Sequence, residues 1–129
     1  MKLFTKINIE IIPNDKQRYK TVGDFWIDKC GVLQIRVSDL GDPRFAYLVA
    51  VHELIEVLQT EYEGIKEEDI KEFDEQFEYK RMPGNLDEPG DDPKAPYKKQ
   101  HCIATAVERL VSACLNVDWK DYERACNEI

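Results

Sequence analysis

The stretch PRFAYLVAVHELIEVLQ, residues 43–59, decides how the rest of the chain is read. Between residues 46 and 58 the only side chains that are not apolar are His52, Glu53 and Glu56. A helix that is hydrophobic nearly all round is buried, and a buried carboxylate is costly unless it is paired or bound to a metal ion. At 3.6 residues per turn His52 and Glu56 share one face, one turn apart, with Glu53 at their flank and Gln59 continuing the stripe. The pattern predicts a core helix built around a metal site or a tight polar network.

Around this helix the chain alternates short strands and further helices. Asp42 before Pro43 is a natural cap, and Gly64 a natural stop, so the helix is expected over 43–63. Upstream, KLFTKINIEII (2–12) puts Leu3, Ile7, Ile9 and Ile11 on one face, which reads as a half-buried strand. The polar connection that follows takes Gly23 as a turn residue, and Phe25 to Ile27 then pairs with VLQIRV (32–37) as a hairpin. The second run, with Leu33, Ile35 and Val37 inward and Gln34 and Arg36 outward, reads as an edge or surface strand.

Downstream, a helix over 66–81 recurs in Ile70, Phe73 and Phe77 and is otherwise charged, as a solvated surface helix is. Residues 82–96 must form a loop, since PGNLDEPGDDPKAP (83–96) holds four prolines and two glycines in fourteen positions. A third helix is expected over 96–116 with Ile103, Val107, Leu110, Val111 and Cys114 as its apolar stripe, and a last one over 118–127. The fold class is α+β: one domain, with a small antiparallel N-terminal sheet packed on three main helices.

The chain has 129 residues and a net charge of −8, and residues 61–92 carry 13 acidic side chains against 4 basic ones. With no basic stripe, direct binding to a nucleic-acid backbone is not expected. No apolar run is long enough for a membrane span, and the N-terminus lacks the apolar block of a signal peptide, so a cytoplasmic location is the expectation. Cys30, Cys102, Cys114 and Cys126 form no C-x-x-C pair and read as reduced, buried thiols.

The chain has two histidines, His52 and His101. His52, Glu56 and His101 supply the nitrogen and oxygen donors of a zinc site that keeps one position open. Glu53 stands where a general base would take a proton from water, and Tyr97 is a candidate to stabilise a developing oxyanion. Glu108 or Asp92 is a candidate to orient His101 from behind.

These residues carry a resemblance. DPRFAYLVAVHELIE, with its H-E-x-x-E pattern, resembles the active helix of zincin metallopeptidases (H-E-x-x-H), in particular the small ImmA/IrrE-like type, in which an edge strand precedes that helix. In that family a glutamate opening a later helix is the third ligand. Here Glu56 stands at the family's second histidine and His101 at its glutamate, so the two ligand types are exchanged. The chain also resembles a set of short proteins encoded by bacteriophages and prophages, through VGDFWIDKCGVLQIRVSD, the HELIE helix and EPGDDPKAPYKKQH. That resemblance implies a phage origin and the cytoplasm of a bacterial host, and no particular activity.

Three readings follow. In the first the chain is a zinc-dependent hydrolase acting on a peptide or protein substrate. In the second it is a non-enzymatic phage accessory protein that binds a host factor or a small ligand through its acidic helix and proline-rich loop, the His/Glu cluster being structural. The third keeps the metal but gives it a structural role.

Overall fold

A computed structural model describes residues 4–129, so Leu3 lies outside the described residues. The chain forms strands β1 (Lys6–Ile12), β2 (Gly23–Ile27) and β3 (Val32–Ser38), then helices α1 (Pro43–Glu63), α2 (Glu67–Tyr79), α3 (Lys98–Cys114) and α4 (Trp119–Asn127). Short 3₁₀ turns occupy Asn14–Lys16 and Pro89–Asp91. The class is α+β, with one three-stranded sheet and four helices among the described residues.

The sheet is mixed rather than antiparallel. Its order is β1-β3-β2, with β2 antiparallel to β3 across the hairpin and β1 parallel to β3. After β1 the chain crosses to the far edge before the hairpin begins, so β3 returns in the direction of β1. Alternation in the sequence fixes which side chains share a face but not which strand is the neighbour. The VLQIRV run is consequently the central strand, not an edge: Leu33, Ile35 and Val37 are fully buried. Its polar side is covered as well. Gln34 bonds to Asn8 and Asp28, while the Arg36 guanidinium lies over Trp26.

Gly23 is not a turn residue. It opens β2 on the helix-facing side, opposite Val37. There α1 presses so closely that a Cβ at Gly23 would come within 2.8 Å of Val49 Cγ1. Only glycine leaves that room.

α1 forms as its caps dictate: the Asp42 side chain accepts from the Arg44 amide, Pro43 sits in the first turn, and Gly64 closes the helix at φ 73°. It packs on β3 and β2 through Ala46, Val49 and Val57, and on α3 along another side. β1 receives much less cover, and Ile7, Ile9 and Ile11 stay 44%, 44% and 48% exposed although they share the face of Leu33, Ile35 and Val37.

α3 also departs from expectation. Its buried side is Gln100, His101, Ala104, Glu108 and Ser112, whereas Ile103 and Leu110 are exposed. The polar face turns inward because α1 offers it charged partners. Three cysteines, Cys30, Cys102 and Cys114, are exposed rather than buried, and all four are free thiols. Among the described residues no helix is long and apolar enough to cross a membrane.

Candidate metal centre

α1 and α3 run antiparallel, and the contacts between them follow that order. Arg44 donates to the carbonyls of Leu115 and Asn116, His52 meets Glu108, Glu56 meets His101, and Gln59 donates to the carbonyl of Gln100. His101 and Glu108 are seven residues apart, close to two full turns, so both face α1. The apolar helix and the polar-faced helix therefore complete one another.

Glu56 is the centre of the cluster. Its Oε2 lies 3.1 Å from His52 Nε2 and 3.0 Å from His101 Nδ1. The two imidazole rings meet edge to face with centroids 4.8 Å apart. One donor atom from each of His52, Glu56 and His101 falls within 4.8 Å of the others. For bonds of about 2.0–2.1 Å, the edges of a tetrahedron around zinc are roughly 3.3 Å, close to the two measured separations.

The other nitrogen of each ring is held by carboxylates. His52 Nδ1 lies 2.9 Å from Glu108 Oε1, and the Tyr122 hydroxyl donates to the other oxygen of Glu108. His101 Nε2 lies 3.0 Å from Glu88 and 3.2 Å from Asp91. Those two acids flank Gly90, which rests on the imidazole so closely that a Cβ there would sit 2.3 Å from His101 Cγ. The 3₁₀ turn thus forms a cap over His101, and in it the Asp91 carboxylate accepts from the Glu88 amide.

The charges are strongly coupled. Burial disfavours a charged His52 ring, but the hydrogen bonds to Glu108 and Glu56 outweigh it and raise the imidazole to about 11. Burial opposes the charged His101 in the same way, and bonds to Glu56 and Glu88 raise it to about 10. Glu56 resists its own burial through both rings and stays below the usual carboxylate range, and Glu88 is lowered by His101.

Glu53 behaves differently. Neither ring is bonded to it; its Oε1 would lie 2.5 Å from a Cβ at Gly23, so it rests against the edge strand β2. Burial first, then the Glu56 charge, hold its carboxyl well above the usual range, with His52 opposing.

The structure brings His52, Glu56 and His101 together as the sequence predicts, but it redistributes the supporting roles. Glu108 backs His52, not His101. Asp92 does not reach His101 and instead accepts from the Lys94 amide. The Tyr97 ring packs edge-on against His101, with centroids 6.3 Å apart, while its hydroxyl donates to Asp74. Tyr97 is therefore a support for His101, and no free donor for an oxyanion. Sequence reasoning missed that Glu88 and Asp91 hold the second nitrogen of His101 and that Tyr122 steadies Glu108. A loop carries no periodicity that aims its side chains, so the one available signal was the acid content of the proline-rich segment. The chain matches no protein-family model, no curated protein and no solved structure.

Proposed function

We propose that the chain is a zinc-dependent hydrolase of zincin-like design, with His52, Glu56 and His101 as ligands and Glu53 as the proton acceptor. The observation that carries this reading is the double anchoring of both imidazoles. Each offers one nitrogen to the point marked by Glu56 Oε2, and each has its other nitrogen fixed by a carboxylate. Carboxylate-backed histidines are the usual support of zinc ligands, because the acid fixes the tautomer and raises the basicity of the ring. Two imidazoles and one carboxylate also form the donor set of hydrolytic zinc sites, which keep a fourth position for water or substrate.

A zinc ion held there supplies Lewis acidity that activates water and polarises a carbonyl oxygen. Glu53 would take the proton of the attacking water in its ionised form, which the charge of a bound ion would favour against the burial and the Glu56 charge that hold its carboxyl above the usual range. In the sheet order β1-β3-β2 the outer edge of β2 is unpaired among the described residues, so an extended peptide would add there, beside the strand against which Glu53 rests. The zincin resemblance implies an edge strand directly before the helix, whereas β3, which precedes α1, is central and the edge strand beside α1 is β2.

One observation favours a second reading. Every ring nitrogen of His52 and His101 already has a carboxylate partner, so the cluster also works as a metal-free tie between α1 and α3 in a non-enzymatic accessory protein. Metal content separates the two. Protein purified without chelators is expected to hold zinc in 1:1 ratio, and Glu56→Ala is expected to lose it. Glu53→Gln should keep the zinc and lower hydrolysis of an unstructured protein substrate by about 10²–10⁴-fold. Wild-type protein that takes up no zinc from zinc-containing buffer overturns the proposal.

A further inference from the structure

The uncovered row on β1 lies on a free edge. The sheet order leaves the outer side of β1 unpaired among the described residues, and α1 packs over β3 and β2 instead. Ile7, Ile9 and Ile11 consequently point to the helix side of the sheet while remaining nearly half exposed. The Ile12 carbonyl accepts from the Asp39 amide, on the β3 side. By the period of two along a strand, the peptide groups of Ile7, Ile9 and Ile11 are directed at the open edge. Open edges are ordinarily blunted by proline, a bulge, a lysine or an inward-pointing charge; the run KINIEII has no proline, and its charges, Lys6 and Glu10, lie on the face away from Ile7, Ile9 and Ile11.

We propose that β1 pairs antiparallel with β1 of a second copy of this chain, about a twofold axis through Asn8, joining two sheets into one of six strands. The sequence around Asn8 is self-complementary in that register. Lys6 faces Glu10 of the partner subunit on one side of the sheet, twice by symmetry. Ile7 faces Ile9 of the partner subunit on the other, also twice. Residues 7 and 9 are those whose peptide groups face outward, so the same register completes the backbone ladder. An axis perpendicular to the sheet keeps both sets of helices on one side, and the two isoleucine rows then close the gap between them. A register centred on Ile9 would place Lys6 opposite Ile12 of the partner subunit and lose both charge pairs. This association is independent of the zinc site, which lies beyond β3 on α1 and α3.

Sedimentation velocity of the full chain from about 1 µM to about 100 µM tests the proposal, and a monomer–dimer equilibrium with a micromolar midpoint is expected. Ile9→Lys should give a monomer throughout, with unchanged circular dichroism and zinc content, since the residue is half exposed in a single copy. Lys6→Glu and Glu10→Lys should each weaken the dimer by about tenfold, because two attractions become two repulsions. The double variant Lys6→Glu/Glu10→Lys should restore it. A wild type that stays monomeric across the range overturns the proposal, as does a double variant no tighter than the singles, and in either case the row belongs to another occupant or to none.

Discussion

One oxygen, Glu56 Oε2, accepts from both imidazoles, and the chemistry of the molecule follows from that crowding. In the metal-free chain His52 and His101 are raised from 6.5 to about 11 and about 10, so the folded state keeps protons that the unfolded state releases. That contribution to stability is fully present below pH 6.5 and is lost as pH climbs towards 10 or 11. Glu53, raised from 4.5 to about 8, adds a loss that begins near pH 4.5 and is complete above about pH 8. Glu56 and Glu88 act in the opposite sense: their contribution is present above about pH 4.5 and is lost as pH falls. Urea melts of chelated protein should therefore show greatest stability near pH 5 and a steady decline to pH 9.5. A flat profile above pH 7 contradicts the network. Zinc bound by the two imidazoles would displace their protons, so its affinity should rise over the same interval. Glu108→Gln should weaken zinc binding by about 10–100-fold, read by competition with a chelating dye, since it removes the anion behind His52. The sequence made the ligands legible because two histidines and one charged stripe stood against an apolar background. It did not reveal what backs them. Seven residues place Glu108 on the face of His101, but only the antiparallel crossing of the helices hands it to His52.

Among the elements, α1 was legible from end to end because Asp42, Pro43 and Gly64 are local signals. α3 was not, since its apolar residues suggested the wrong face. Burial there is decided by partners: Gln100, His101 and Glu108 go inside where α1 and the cap satisfy them, and Leu110 is left 70% exposed. Leu110→Lys should accordingly change the melting temperature little, whereas Ala104→Leu, at a fully buried position between α3 and its neighbours, should cost about 1–3 kcal/mol through overpacking. The reverse ranking would show that the apolar stripe faces the core after all. Two glycines mark where elements touch the site. Gly90→Ala drives a methyl into the His101 ring and should lift the cap, weakening zinc binding; Gly23→Ala drives one into Glu53 and should leave zinc in place while impairing hydrolysis. Isothermal titration beside a turnover assay separates the two. Direction was the unreadable property of the strands: the alternation of β1 names its two faces, but whether it joins β3 parallel or antiparallel depends on the route of the chain between them.

At the scale of the molecule, the site ties together parts far apart in the chain, with residues 52 and 56 on α1, 101 and 108 on α3, and 88 and 91 on the segment between. Residues 61–92, from the last turn of α1 into that segment, carry 13 acidic against 4 basic side chains, half of the chain's 26 acidic residues. Such a charge excess repels itself, and the two protonated imidazoles offset part of it in the metal-free state by holding Glu56, Glu88, Asp91 and Glu108. A divalent ion bound there would replace those two proton charges at one point and cross-link α1 to α3. Binding to the folded state alone stabilises by mass action, about 2.7 kcal/mol when free zinc exceeds its dissociation constant a hundredfold. For a domain of this size that shifts the melting temperature upward by about 5–15 °C. Chelation should reverse the shift and speed amide exchange in the 88–91 cap and the first turns of α3. The β2–β3 hairpin should keep its protection, since its core side chains Leu33, Ile35 and Val37 owe nothing to the ion. Equal melting temperatures with and without a chelator, at saturating zinc beforehand, would show that the carboxylate–imidazole ties hold the helices unaided and that the centre carries no ion.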